Sequence, residues 1–288
     1  MDATLLIFGL GYSGRAIAAA AHAADWRVLA TTRQSSIPPA AGVSLLPFAD
    51  AGSAIDAATH LLATAPPNAD SAPVLARYAG AIRAAPLLRW IGYLSTTGIY
   101  GNRDGGWVDE ATSPAPNADR SARRLRAEDD WRKFADSRAI DIFRLASIYG
   151  PGRSAFDDLR AGHARRIVKP DHVFGRIHRD DIAGAVLAAM HQSPPPGVRT
   201  FNLADDVPSA SADVITEAAR LLGLAPPAEI PFAEAWETMS PMARSFWAEN
   251  RKVASRRTQE ILGYRWRYPT YREGLAAILA DKLADNRA

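Results

Sequence analysis

The chain has 288 residues, 48% of them hydrophobic and 23% charged, with a formal net charge of +3. That composition excludes a disordered or fibrous chain and suits one large α/β domain, or a domain with a smaller lobe. Cysteine is absent, which excludes disulfides, thiolate metal sites and a cysteine nucleophile, and fits a reducing compartment.

Met1-Asp2 brings no basic segment, and the apolar run that follows stops at a glycine, so the beginning reads as a strand and not a signal peptide. No apolar stretch approaches the ~20 residues of a membrane span, and a cytoplasmic location is expected. Strands are predicted at Thr4–Phe8, Arg27–Thr31, Val43–Leu46, His60–Thr64, Arg89–Ser95 and Asp141–Leu145. Helices are predicted at Ser13–Ala24, Pro73–Ala84 and Ser121–Ser137. This alternation is the pattern of a parallel sheet flanked by helices. After Tyr149–Arg153 the segments shorten and are punctuated by Pro194-Pro195-Pro196, Pro226-Pro227 and Pro269, which predicts a smaller, irregular lobe. The expected division is a dinucleotide-binding core over 1–152, with core elements continuing into 170–205, and a lobe over most of 153–288. The cations are nearly all scattered arginines, with no block resembling a nucleic-acid patch.

Gly9-x-Gly11-x-x-Gly14 follows the first strand and opens the first helix, the context in which a glycine fingerprint signals a dinucleotide. Gly9 would make the tight turn, Gly11 would let the backbone approach a pyrophosphate, and Gly14 would let helix and strand pack closely. Tyr12 and Ser13 belong to the same helix N-terminus, and Thr64 ends the fourth strand. The end of the second strand reads Leu29 to Ser36 without a carboxylate to hold a ribose hydroxyl. Thr32 offers a hydroxyl and Arg33 a guanidinium fork suited to a 2′-phosphate. The expected cofactor is therefore NADP(H), with NAD as the alternative. Asp50 could accept from an adenine amino group or cap a helix.

Five further phrases occur in order: Tyr93–Gly101, Phe143–Arg153, Arg176–Met190, Phe201–Pro208 and Ile261–Leu275. With the glycine loop they resemble the extended short-chain dehydrogenase/reductases, the NAD(P)-dependent epimerase/dehydratase-like family. The stretches around Ser95–Glu110 and Met242–Val253 are similar to its atypical, YeeZ-type branch. The resemblance implies an α/β fold, a Rossmann doubly wound parallel sheet with a smaller C-terminal substrate-binding lobe, and often a homodimer.

It also implies a catalytic hydroxyl, which falls on Thr96, and a Tyr-x-x-x-Lys pair. The slots of that pair fall on Arg120 and Arg124, and no Tyr or Lys lies between Tyr100 and Lys133. A guanidinium does not deprotonate in proteins, so Arg120 cannot replace the phenol; it could bind an anion or stabilise developing negative charge. On one helix face at i, i+4 the two arginines form a fork, or pair with Asp119 and Glu128. Tyr100, in the loop after Thr96, is the leading substitute acid/base. Arg176 is the candidate clamp for a substrate phosphate or carboxylate. Tyr149 and His178 read as structural.

No metal site is expected, because the carboxylate doublets Asp180-Asp181 and Asp205-Asp206 have no accompanying histidine pair. Two functions stand open at this point. One is an NADP(H)-dependent oxidoreductase or epimerase acting on a small polar, anionic substrate, and the other is a non-catalytic NADP(H)-binding sensor or scaffold.

Overall fold

The computed structural model describes residues 3–32, 41–69 and 72–285. In chain order, the first half contains β1 (Thr4–Phe8), α1 (Tyr12–Ala23), β2 (Arg27–Thr32), β3 (Val43–Pro47), α2 (Gly52–Ala57), β4 (His60–Ala63), α3 (Pro73–Ala84), β5 (Trp90–Thr96), β6 (Trp107–Val108), α4 (Asp119–Arg132) and β7 (Ala139–Leu145). The second half contains β8 (Ser147–Tyr149), α5 (Ala155–Arg160), β9 (Arg166–Val168), β10 (Arg176–His178), α6 (Arg179–His191), β11 (Gly197–Leu203), α7 (Ser211–Leu221), β12 (Glu229–Pro231), α8 (Phe232–Glu237), α9 (Pro241–Trp247), β13 (Lys252–Val253), α10 (Arg256–Leu262) and α11 (Tyr271–Asp285).

Seven strands form one sheet in the order β11-β7-β5-β4-β1-β2-β3, and every pair in it is parallel. Parallel strands need crossovers, which place helices on both faces and bury both sides of each strand. β1 shows this directly. Leu5 and Ile7 enter the core on one face of the sheet, with Ile17, Ala18 and Val186, while Leu6 and Phe8 enter the other, with Ile55, Tyr78 and Ile82. Strand side chains alternate, so an uninterrupted apolar run fills two cores at once.

The chain runs outward from β1 to β3 and then returns to place β4 on the other side of β1. The carboxyl ends of β1 and β4 therefore face a crevice at the reversal of strand order, where ligands meet open α/β sheets. β11 completes the sheet next to β7, and α6 packs against α1, so part of the second half belongs to the core. Small two-stranded sheets, β12-β9, β10-β8 and β13-β6, together with α5, α7, α8 and α9, build the lobe over the strand ends. Among the described residues no helix is long and apolar enough to cross a membrane.

A buried polar network fixes α4 to the sheet. Glu128, wholly buried, accepts from Ser95 Oγ at 2.6 Å and from Arg144 Nη2 at 2.9 Å. Residues four apart on a helix share a face, so anchoring Glu128 to β5 and β7 also orients Arg124 and Arg120, one and two turns earlier, along the strand ends.

Candidate active site

The glycine turn has the geometry a phosphate cradle requires. Gly9 has φ +103°, and a Cβ there would lie 2.7 Å from Thr64 Oγ1. At Gly14 a Cβ would lie 2.5 Å from the Gly9 carbonyl oxygen, so α1 can approach β1 only without a side chain. Gly11 differs, because a Cβ there would meet nothing within 4 Å. It is the exposed N-cap of α1, and its backbone borders open space beside amides that have no partner within the helix. Such an N-terminus favours an anion.

This turn opens into a cavity of about 490 Å³ that also contains the end of β5. Its wall includes Gly11, Tyr12, Ser13, Gly14 and Thr64 on one side and Thr96, Arg120 and Arg124 on the other. The size suits a small-molecule site. Thr96 Oγ1 accepts from Gly98 N–H at 3.0 Å, which fixes the hydroxyl at the strand end and leaves its O–H able to donate. Arg124 Nη1 donates to the Leu94 carbonyl at 2.6 Å, and Arg120 donates to Ser245 Oγ while its guanidinium lies 3.9 Å from the centroid of the Phe246 ring. Neither arginine pairs with Asp119 or Glu128; both face the cavity.

Two sequence expectations are corrected. Tyr100 is not in the cleft wall: its ring is wholly buried, its hydroxyl donates to Asn202 Oδ1 at 2.8 Å, and it accepts from Arg144 Nη1 at 2.9 Å. Burial raises its pKa, the opposite of what proton transfer near neutrality requires. Arg176 does not line this cavity; it lines a neighbouring one of about 440 Å³ that shares Ser147, Ile148 and Arg153 with it. Its Nη1 donates to the Phe174 carbonyl and to both the carbonyl and hydroxyl of Ser209, at 2.8 to 3.1 Å, which ties together the Phe174–Ser209 bridge.

The other expected residues take distinct places. Thr64 donates to the Gly9 carbonyl at 2.6 Å and so locks the glycine turn. Tyr12 donates to the Pro151 carbonyl at 3.0 Å, with the guanidinium of Arg179 5.0 Å from the centroid of its ring. Thr32 ends β2, one residue beyond the Phe8–Thr31 pair. Arg33 lies outside the described residues. Asp50 lies in a short 3₁₀ turn, Phe48–Asp50. Tyr149 and His178 pair in the small β10-β8 sheet, and His178 Nδ1 caps α6 by accepting from Asp180 N–H at 3.2 Å.

The far wall of the cavity was not assigned from the sequence. It contains Phe174, Phe246, Glu249 and Arg251 from the lobe, and Arg153 from the loop after β8. Arg251 Nη1 contacts Glu249 Oε2 at 2.7 Å and the Gly101 carbonyl at 2.9 Å. Arg120, Arg124 and Arg153 have no carboxylate within ion-pair distance among the described residues. The phrase Met242–Val253 was the available signal, but no periodicity in it assigns a role.

A parallel doubly wound sheet with a glycine cradle at the reversal of strand order, joined to a hydroxyl-bearing strand end, defines a Rossmann-type nucleotide-binding architecture. A conserved protein of unknown function from Silicibacter pomeroyi has a solved structure matching 98% of this chain and 99% of its own, at 42% identity and a TM-score of 0.90. Human epimerase family protein SDR39U1, solved with NADPH, shares the fold at a TM-score of 0.72 and 19% identity, over 96% of this chain and 98% of its own. Protein YeeZ of Escherichia coli K12 is 29% identical over 135 residues, and the match spans about half of each chain, 47% in both cases. No family model matches. The chain is thus similar over its whole length to the Silicibacter pomeroyi protein and over about half its length to YeeZ, and it has the fold of epimerase/dehydratase-like proteins.

Proposed function

We propose that the chain is an NADP(H)-dependent oxidoreductase or epimerase-like enzyme that acts on a small polar, anionic substrate without a Tyr-x-x-x-Lys pair. The observation that carries this reading is a single cavity lined by both the Gly11–Gly14 cradle and the Thr96 strand end. A dinucleotide held at the first would extend toward the second. The neighbour solved with NADPH has the same fold.

The residues present fit such a cofactor. Gly11 borders open space, and the unpaired amides at the N-terminus of α1 suit a pyrophosphate. When bound, the nicotinamide would supply or accept the hydride. Thr96 O–H would donate to a substrate carbonyl, and Arg120 and Arg124 would stabilise negative charge developing on its oxygen. The core would hold the nucleotide, and the lobe residues Phe174, Phe246 and Arg251 would border the substrate. Three guanidiniums without carboxylate partners in one cleft repel each other, which an anionic substrate relieves.

A second reading, a non-catalytic NADP(H) sensor, has one observation in its favour. Among the described residues no histidine or lysine lines the cleft, and Tyr12, its single phenol, is engaged with Pro151. Screening NADPH oxidation against small aldehydes, keto acids and nucleotide-sugar ketones separates the two. Turnover with any of them supports the enzyme, whereas tight NADPH binding with no oxidation of any compound supports the sensor.

A further inference from the structure

Among the described residues, Glu249 is the single carboxylate in the wall of the cleft. Its Oε2 is paired with Arg251, but its Oε1 is buried and has no hydrogen-bond partner. The residue is only 6% exposed. A buried carboxylate oxygen left without a donor is costly, and native structures rarely tolerate one without a use. Arg120 is close enough for the Glu249 charge to act on its guanidinium, yet it donates to Ser245 and stacks on Phe246. Arg251 is held between Oε2 and the Gly101 carbonyl.

We propose that Glu249 is a specificity-determining residue: its Oε1 accepts a hydrogen bond from a hydroxyl of the substrate. This rests on the proposed anionic-substrate cleft and refines it. The arginines attract an anion, while a carboxylate beside them repels any anion that brings no donor to it. Only a molecule carrying both an anionic group and a hydroxyl satisfies the two together, so the site selects hydroxylated anions over bare or alkylated ones. The selection arises because every anion meets the same repulsion from the carboxylate, but only one that donates satisfies its buried oxygen in return.

A matched pair of probes tests this. Glycerol 3-phosphate and n-propyl phosphate share a phosphate and a three-carbon chain, and differ in the hydroxyls. Calorimetry with the full chain saturated with NADPH, which keeps both probes out of the dinucleotide cradle, is expected to show glycerol 3-phosphate binding about tenfold more tightly, the effect of one charge-assisted hydrogen bond. In Glu249→Gln that preference should shrink to about threefold or less, because a neutral amide oxygen accepts more weakly than a carboxylate, while n-propyl phosphate binds as tightly as before or more tightly, because a negative charge has left the cleft. A purely structural role would weaken both probes together. Equal wild-type affinities, binding of neither probe, or a parallel loss of both in Glu249→Gln would overturn the proposal, and the wild-type comparison decides even if the variant fails to fold. NADPH titration of the same samples reads the cofactor assignment separately. Without NADPH binding that assignment fails, and the same probe comparison on the nucleotide-free chain still tests Glu249.

Discussion

The phenol of Tyr100 and the carboxamide of Asn202, separated by 102 positions in the chain, meet inside the core at 2.8 Å. Asn202 lies on β11 and Tyr100 in the turn after β5, so the bond spans β7, whose Arg144 also donates to the phenol. The network continues from Arg144 to Glu128 and Ser95. It holds the strand ends and α4 in register, and the cleft is built on that register.

Tyr100→Phe is therefore expected to act on stability and not on the site. Removing the hydroxyl leaves Asn202 Oδ1 without this donor, at a cost of about 1–3 kcal/mol. NADPH affinity of the folded variant should stay within about twofold. Urea unfolding with a parallel nucleotide titration checks both. Intact stability combined with lost turnover would return Tyr100 to a chemical role.

Glu128→Ala should be more severe, because it strands the buried Arg144 guanidinium, which is 4% exposed at the side chain. Breaking one side of a buried ion pair costs about 3–5 kcal/mol. Thermal unfolding would show it as a large drop in Tm or as failure to accumulate folded protein.

Gly11 and Gly14 separate the phosphate cradle from the packing beneath it. Gly14→Ala forces a Cβ against the Gly9 carbonyl and is expected to destabilise by about 1–3 kcal/mol. Gly11→Ala meets no protein atom and has a backbone that alanine adopts, with φ −79°. It should leave Tm nearly unchanged and weaken NADPH about tenfold or more by occupying the pyrophosphate approach. A matched pair of melting curves and titrations distinguishes the two effects.

Three buried histidines set the response to acid. Burial lowers His60, His172 and His178 from the ordinary 6.5 to about 4. Between those values each of these histidines binds more protons in the unfolded chain than in the folded one, so its contribution to stability is full above about pH 6.5 and is lost as the pH drops toward about 4. Asp205, whose carboxyl burial raises to about 8, works in the opposite sense over the same range and offsets part of the loss. His178 links this to structure, because its neutral Nδ1 caps α6 and protonation removes that acceptor. Denaturant midpoints measured from pH 7.5 to 4 should decline over that window, and His178→Asn, which keeps a capping oxygen, should decline less steeply.

The legible parts of the molecule were local. β1, the glycine turn and α1 are contiguous, and their order alone places a cradle at a strand end. The uninterrupted apolar run Leu5–Phe8 needs no partner to reveal a strand buried on both faces. Thr96 was legible because it ends such a run. Tyr100 was not, because a residue just past a strand end reads as a loop over the cleft until Arg144 and Asn202, both distant in sequence, draw its phenol inward. Arg176 was misplaced for a related reason: its guanidinium is drawn to the distant Ser209 segment, beside the neighbouring cavity. Glu249 and Arg251 reach the cleft from the short segment between α9 and β13, which has no period to follow.

Calorimetric titration of the purified chain with NADPH and with NADH is expected to show one saturable site for NADPH, with weaker binding of NADH. No association with either nucleotide would contradict the central claim.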